Sequence, residues 1–290
     1  MPRPNFHIIG APKCGTETIS NWLREHPEVF IPKDDGIHFH ARDLDLCIPD
    51  RAYYERCFAT AKTPAIGEVS PWYLFSDEAI PRILEETPDT RLIVCLRNPI
   101  EMAWVLHSAA VADAREHVSN FPTAWAMSHL RRQGRGGRRG SDAKTLDYSG
   151  ICSLGDQLLR LTALAEADQI HLVFLDDILK DPRSVWDDLQ IFLGIDIQER
   201  HAFPVEDFLI ERPLPTLHTI LRRLSDTRGA VLPQRFLRLG IARSVNGWNR
   251  RAGTLREMPV DLRRRVSEGL SEDVGVISAM SGRDLSHWLC

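Results

Sequence analysis

The 290-residue sequence predicts an α/β fold, a central parallel sheet flanked by helices with a helical C-terminal part, on three observations. Residues 6–9, 91–96 and 170–175 are short, near-continuous apolar runs, the pattern of strands buried on both faces. Stretches with apolar residues at helical spacing lie between them, as the crossovers of parallel strands require. The first run passes through Gly10-Ala11-Pro12-Lys13-Cys14-Gly15 directly into a helical pattern carried by Ile19, Trp22 and Leu23.

That strand–loop–helix unit is an anion site by construction. The first turn of a helix leaves backbone N–H groups without intrahelical partners, and its dipole favours negative charge there. Lys13 and the hydroxyls of Thr16 and Thr18 add donors, so the expected ligand is a phosphate or sulfate ester. A Walker loop would need its lysine after the second glycine, whereas Lys13 precedes Gly15, which disfavours a nucleoside triphosphatase.

Composition bounds the rest. Hydrophobic residues at 43% and charged residues at 26% describe a soluble globular chain, and 290 residues suit a single α/β domain, 1–290. No apolar run reaches the ~18 residues of a membrane span, and the N-terminus enters the first strand without a leader pattern, so the chain is read as cytoplasmic. Six cysteines without Cys-x-x-Cys spacing argue for reduced thiols and against zinc or disulfides. A net charge of −4 gives no general attraction to nucleic acid. The arginines dense after position 210, from Arg222 to Arg251, are either solvated helix faces or the lining of an anionic cleft.

Along the chain, residues 26–33 suggest a turn and a short strand, and 34–36 a second turn. His38 and His40 then fall on alternate positions of an extended segment, pointing the same way; no further ligand stands at a metal-like spacing, so His38 is expected alone, as a polar or acid/base group facing the cleft. Glu68 ends an apolar approach and precedes Ser70-Pro71, which places a carboxylate at the ligand-binding end of a parallel strand; a surface position or a pairing with Lys13 is the competing reading. Arg97 ends the run 91–96, where a bidentate phosphate contact suits it, and helix follows from Glu101. The Gly/Arg run 130–140 is expected as a mobile loop, either a basic flap or plain disorder. A helix over about 152–166, a strand over 170–175, a loop at 176–182 and a helix ending at Gly194 follow, then amphipathic helices around 217–224, 235–241 and 262–270.

Several of these segments resemble the sulfotransferases that use PAPS (3′-phosphoadenosine-5′-phosphosulfate): Pro12-Lys13-x-Gly15-Thr16-x-Thr18, His38-Phe39, Glu68-x-Ser70-Pro71-x-Tyr73, Arg97 at its strand end, and Phe192-Leu193-Gly194. The resemblance covers about residues 5–195, which it implies are the cofactor-binding core of the domain, leaving a helical, acceptor-shaping part over about 200–290. It implies a P-loop-like domain in which Lys13 and the backbone of Cys14, Gly15, Thr16, Glu17 and Thr18 hold the 5′-phosphosulfate. It also implies that Glu68 is the general base, with His38 as the alternative, and that the acceptor is a carbohydrate or small molecule, without a metal. Arg97 and a serine eight residues later would hold the 3′-phosphate; Val105 stands there, and Ser108, one turn on, is the candidate substitute. A P-loop-type small-molecule kinase and a non-catalytic nucleotide-binding relative are the other two readings.

Overall fold

Residues 2–33, 36–137, 143–205, 210–211, 251–252 and 258–290 are described by the computed structural model. The apolar runs form strands, as their patterns require. In chain order the elements are β1 (Phe6–Gly10), α1 (Thr16–Arg24), β2 (Val29–Phe30), α2 (Arg51–Phe58), β3 (Ala65–Val69), α3 (Ala79–Glu86), β4 (Arg91–Leu96) and α4 (Pro99–Ala112). There follow α5 (Phe121–Ala126), α6 (Ser128–Arg132), α7 (Tyr148–Cys152), α8 (Leu154–Thr162), β5 (Ile170–Phe174), α9 (Leu175–Lys180) and α10 (Pro182–Leu193). A short pair, β6 (Ile210–Glu211) with β7 (Arg251–Ala252), and the helix α11 (Val260–Ser281) complete the described chain.

Strands β1 to β5 make one sheet in the order β2-β3-β1-β4-β5, every neighbouring pair parallel. The central strand β1 is buried along its whole length and pairs His7 with Glu68 on one side and Leu92 on the other. A parallel α/β sheet presents its ligands at the carboxyl ends of the strands. Here that edge carries the loop after β1, the turn after β3 and the corner after β4.

Three expectations change. The helix expected over 152–166 is two helices broken at Ser153, because the start of α8 is pressed against α11: a Cβ on Gly155 would lie 2.7 Å from the Asp273 carbonyl oxygen, and the Asp273 carboxylate accepts the Asp156 N–H at 3.1 Å. The segment after β5 is not a loop but α9; Asp181, the next residue, then caps α10 by accepting from Ser184 N–H, and Gly194 closes α10 at φ 63. The Gly/Arg run begins inside α6 rather than in a mobile loop. Arg131 is fully buried, 2.7 Å from Glu116, and donates to the Leu146 carbonyl at 3.0 Å, while Arg132 Nε donates to Asp147 at 2.9 Å.

Helix α11 buries Leu262, Val266, Leu270, Val274 and Ile277 against α8 and α4, extending the expected 262–270 helix. Trp288, just beyond it, packs on Phe174; its indole N–H donates to Asp176 at 3.0 Å, and its carbonyl accepts from Asn98 at 3.0 Å. The helices expected at 217–224 and 235–241, residues 138–142, and Arg222 to Arg250 lie outside the described residues. Among the described residues no helix is long and apolar enough to cross a membrane.

The buried ion pair yields a stability prediction. Arg131→Met leaves Glu116 charged and enclosed, and urea unfolding should show a loss of about 3–5 kcal/mol, the usual cost of stranding one member of a buried pair. Adding Glu116→Gln should recover most of it. Equal stability of wild type and the single variant would mean that the pair is screened by solvent.

Candidate active site

The loop after β1 is shaped by backbone geometry. Lys13 is left-handed at φ 64, and Gly15, the N-cap of α1, is at φ 97, where a Cβ would meet Ile178 of α9 at 2.8 Å. Glycine is therefore demanded at position 15 by both its dihedral and its neighbour. No side chain caps α1, so the N–H groups of its first turn face the loop. The Cys14 side chain is fully buried, its Sγ 3.6 Å from Met102 Sδ, and burial pushes its thiol up to about 12. Cys14 thus offers packing and its backbone, not a nucleophile. Thr16 and Thr18 are buried, at 6% and 0% exposure, whereas the Glu17 side chain is exposed.

Asn98, at the β4 corner, caps α4 by accepting from Ile100 N–H, and Pro99 opens the helix. Arg97 donates from NH1 to the Lys13 carbonyl at 3.1 Å and from NH2 to Glu101 at 3.1 Å. The strand-end arginine is thereby fastened to the lysine of the loop. Val105 is enclosed at 1% exposure, and Ser108 lies a further ~4.5 Å along the axis at the 1.5 Å rise of a helix. The Ser108 hydroxyl donates to the Trp104 carbonyl at 2.8 Å.

The two histidines do not share a direction. His38 is left-handed at φ 46 and residues 39–40 turn, so the segment is bent where an extended one was expected. His38 Nδ1 lies 2.7 Å from Ser70 Oγ. Ser70 follows β3 directly, and the turn it begins is bonded to β1: Ser70 N–H donates to the Ile8 carbonyl at 2.9 Å and Leu74 N–H to that of Ile9 at 2.7 Å. His38 is thereby held at the sheet edge where the loop begins. Burial lowers its pKa to about 4, against the opposing pull of the Glu68 charge, so the ring is neutral near pH 7.

Glu68 sits behind that edge at 5% exposure. It is neither a surface residue nor paired with Lys13. Tyr54 donates to its Oε2 at 2.7 Å and Tyr73 to its Oε1, and His7 Nε2 and His40 Nε2 stand 3.4 and 3.6 Å from Oε2. Burial alone would raise this carboxyl; the hydrogen bond from His7, the charges of His40 and His7, and the Tyr73 hydroxyl outweigh it and hold the group at about 2. Burial likewise lowers His40 to about 4.

Sequence reasoning missed His7 and Tyr54, and gave no role to Ser70 and Tyr73 although both stand in the segment that begins at Glu68. Ser70 had a local signal, two residues beyond Glu68 on the same strand end. His7 becomes a neighbour of Glu68 only once β1 and β3 are known to be adjacent and in register.

The sulfotransferase domain family model matches residues 3–208. Heparan sulfate glucosamine 3-O-sulfotransferase 6 of Mus musculus is 32% identical over 120 residues, covering 41% of this chain and 32% of its own. The membrane-associated sulfotransferase kil1 of Dictyostelium discoideum is 24% identical over 128 residues, covering 44% and 27%. The chain thus spans about a third or less of the length of these curated relatives. Among solved structures, a sulfotransferase from Alicyclobacillus acidocaldarius superposes with a TM-score of 0.72 at 23% identity, covering 99% of both chains. A mouse sulfotransferase complexed with PAP superposes with a TM-score of 0.50 at 14% identity, over 94% of this chain and 86% of that one. With a loop, strand end and sheet order of this kind and a family match over more than two thirds of its length, the chain belongs to the sulfotransferase domain family.

Proposed function

We propose that this chain transfers a sulfuryl group from PAPS to a hydroxyl or amine of a carbohydrate or small-molecule acceptor. The observation that supports this best is the convergence of Lys13, His38 and Arg97 on one edge of the sheet, each tied by a hydrogen bond to β1, its loop or its neighbour's turn. When bound, PAPS supplies an activated sulfuryl group on a phosphate leaving group. Lys13 and the N–H groups from Cys14 to Thr18 neutralise the charge that develops on that phosphate, a contribution of about 2.7–4 kcal/mol for one well-placed donor. Arg97, already fastened to the Lys13 carbonyl, orients the 3′-phosphate as a charged, planar donor. Ser108 would join it only by releasing the Trp104 carbonyl.

We assign acceptance of the acceptor's proton to His38 rather than Glu68. The His38 ring is neutral, partly exposed and anchored through Nδ1, which leaves Nε2 to work. Glu68 already accepts two phenol hydroxyls in an enclosed site, and a carboxylate so satisfied is a weak base.

His38→Ala should lower kcat about 10²–10⁴-fold, the usual worth of general-base catalysis. Glu68→Gln should mainly lower the melting temperature; equal loss of kcat in a folded Glu68→Gln protein would return the role to Glu68. Lys13→Ala should cost roughly 10²–10³-fold in kcat with the fold intact, and wild-type turnover would remove Lys13 from the mechanism.

Calorimetric titration tests the donor. 3′,5′-Adenosine bisphosphate should bind more tightly than AMP by the ~1.5–3 kcal/mol of a hydrogen bond to a charged group, and Arg97→Ala should abolish that difference. An equal response to ATP would favour the kinase reading. Binding without turnover of labelled PAPS over a broad acceptor screen would favour a non-catalytic relative.

A further inference from the structure

A second constellation stands outside the transfer edge. His7 on β1, Glu68 on β3 and His40 after the bent segment bring one donor atom each, two imidazole nitrogens and a carboxylate oxygen, to within 4.8 Å of one another, all three residues buried. Register places the first two: His7 and Glu68 are directly paired across adjacent parallel strands. The His7 and His40 Nε2 atoms lie 3.4 and 3.6 Å from Glu68 Oε2. In a tetrahedral site with metal–ligand bonds of about 2.0–2.2 Å, donor atoms are separated by roughly 3.3–3.6 Å.

The surroundings favour a cation between these atoms. Among the described residues, no lysine or arginine is at ion-pair distance from Glu68; its contacts are two phenols and two imidazoles. An enclosed carboxylate needs compensation, which here comes from hydrogen bonds and imidazoles rather than from a fixed positive charge. His7 Nδ1 lies 2.8 Å from the buried Thr90 hydroxyl. When Nδ1 carries the proton and donates to Thr90, the Nε2 lone pair faces a carboxylate oxygen, an arrangement that a bound cation makes favourable. Outer partners of this type fix ring orientation in imidazole–metal sites. Tyr54, 2.7 Å from Oε2 and 3.2 Å from His40 Nε2, holds the other side.

Access comes from the opposite end of the sheet. A cavity of about 220 Å³, lined by His7, His40 and Tyr54 together with Arg3, Arg51 and Glu86, opens near the residues that precede β1 and β4. Arg51 on its rim is neutralised by Glu86 and lies 3.7 Å from Glu55. The cavity leaves room for a water to complete the coordination.

We propose that His7, His40 and Glu68 bind one divalent first-row transition ion of the Zn²⁺ class. Imidazole and carboxylate donors suit such an ion, and the absence of thiolates disfavours a softer one. Because the site joins β1, β3 and the segment after β2, the bound ion is a clamp between two adjacent strands and that segment.

The test uses the full chain after exhaustive chelation, titrated with Co²⁺ and then Zn²⁺. The expected result is one Co²⁺ per chain with ligand-field absorption, its displacement by Zn²⁺, and a rise in melting temperature with Zn²⁺. His7→Gln and His40→Gln should each weaken binding by more than the roughly 10–100-fold that loss of an outer partner produces. No stoichiometric binding, or undiminished binding in folded variants, overturns the site and assigns the cluster to proton-mediated hydrogen bonding alone. Should the variants fail to fold, X-ray absorption of the wild-type Zn²⁺ complex decides: two imidazoles in the first shell support the site, and fewer than two overturn it.

Discussion

The double pairing of β1 is the constraint on which the rest depends. Because β1 lies between β3 and β4, its last residues are stitched to both neighbours: Ser70 N–H to the Ile8 carbonyl, Leu74 N–H to the Ile9 carbonyl, and Ala11 N–H to the Cys95 carbonyl at 2.8 Å. Three separate segments therefore end at one place. The loop that carries Lys13, the turn that anchors His38 through Ser70, and the corner that carries Arg97 owe their proximity to these backbone hydrogen bonds, reinforced by the side chains of Arg97 and His38. Such a scaffold fixes the positions of the three segments before any ligand arrives, which is what preorganised transfer chemistry needs.

What could be read in advance follows the range of the forces involved. The apolar runs, the loop glycines and the Asp181–Gly194 limits of α10 are short-range signals; the strands anticipated at 6–9, 91–96 and 170–175 are present within about one residue, and Glu68 does stand near the end of a parallel strand. The loop and the Arg97 corner were legible because strand, breaker and helix start are contiguous. The surroundings of Glu68 were not, since they depend on strand order, on Tyr54 reaching across from α2, and on His40 being turned away from His38 by a positive φ that the preceding Asp-Asp-Gly suggests only as a turn. Arg131 misled in the opposite way. Its glycine- and arginine-rich neighbourhood has the composition of a loop, but one guanidinium finds Glu116 and two carbonyls in the interior.

Two enclosed carboxylates in this molecule are balanced by different means. Glu116 meets a full positive charge on Arg131 and hydrogen bonds from Tyr148 and the Val118 N–H, so its charge is compensated by covalent parts of the chain. Glu68 meets only polar groups whose protonation can change. The first arrangement is fixed; the second is able to respond to what occupies the space beside it.

The Trp288 contact has a temporal consequence. Asn98, which starts α4 beside Arg97, is joined to the Trp288 carbonyl across 190 residues, and the same indole holds Asp176 at the start of α9. At elongation rates of about 5–20 residues per second, a nascent chain carries its loop and β4 corner for roughly 10–40 seconds before Trp288 is made. Until then the anion edge stays unsealed, with the apolar wall around Phe174 uncovered, so this corner is where nascent-chain chaperones would be expected to act.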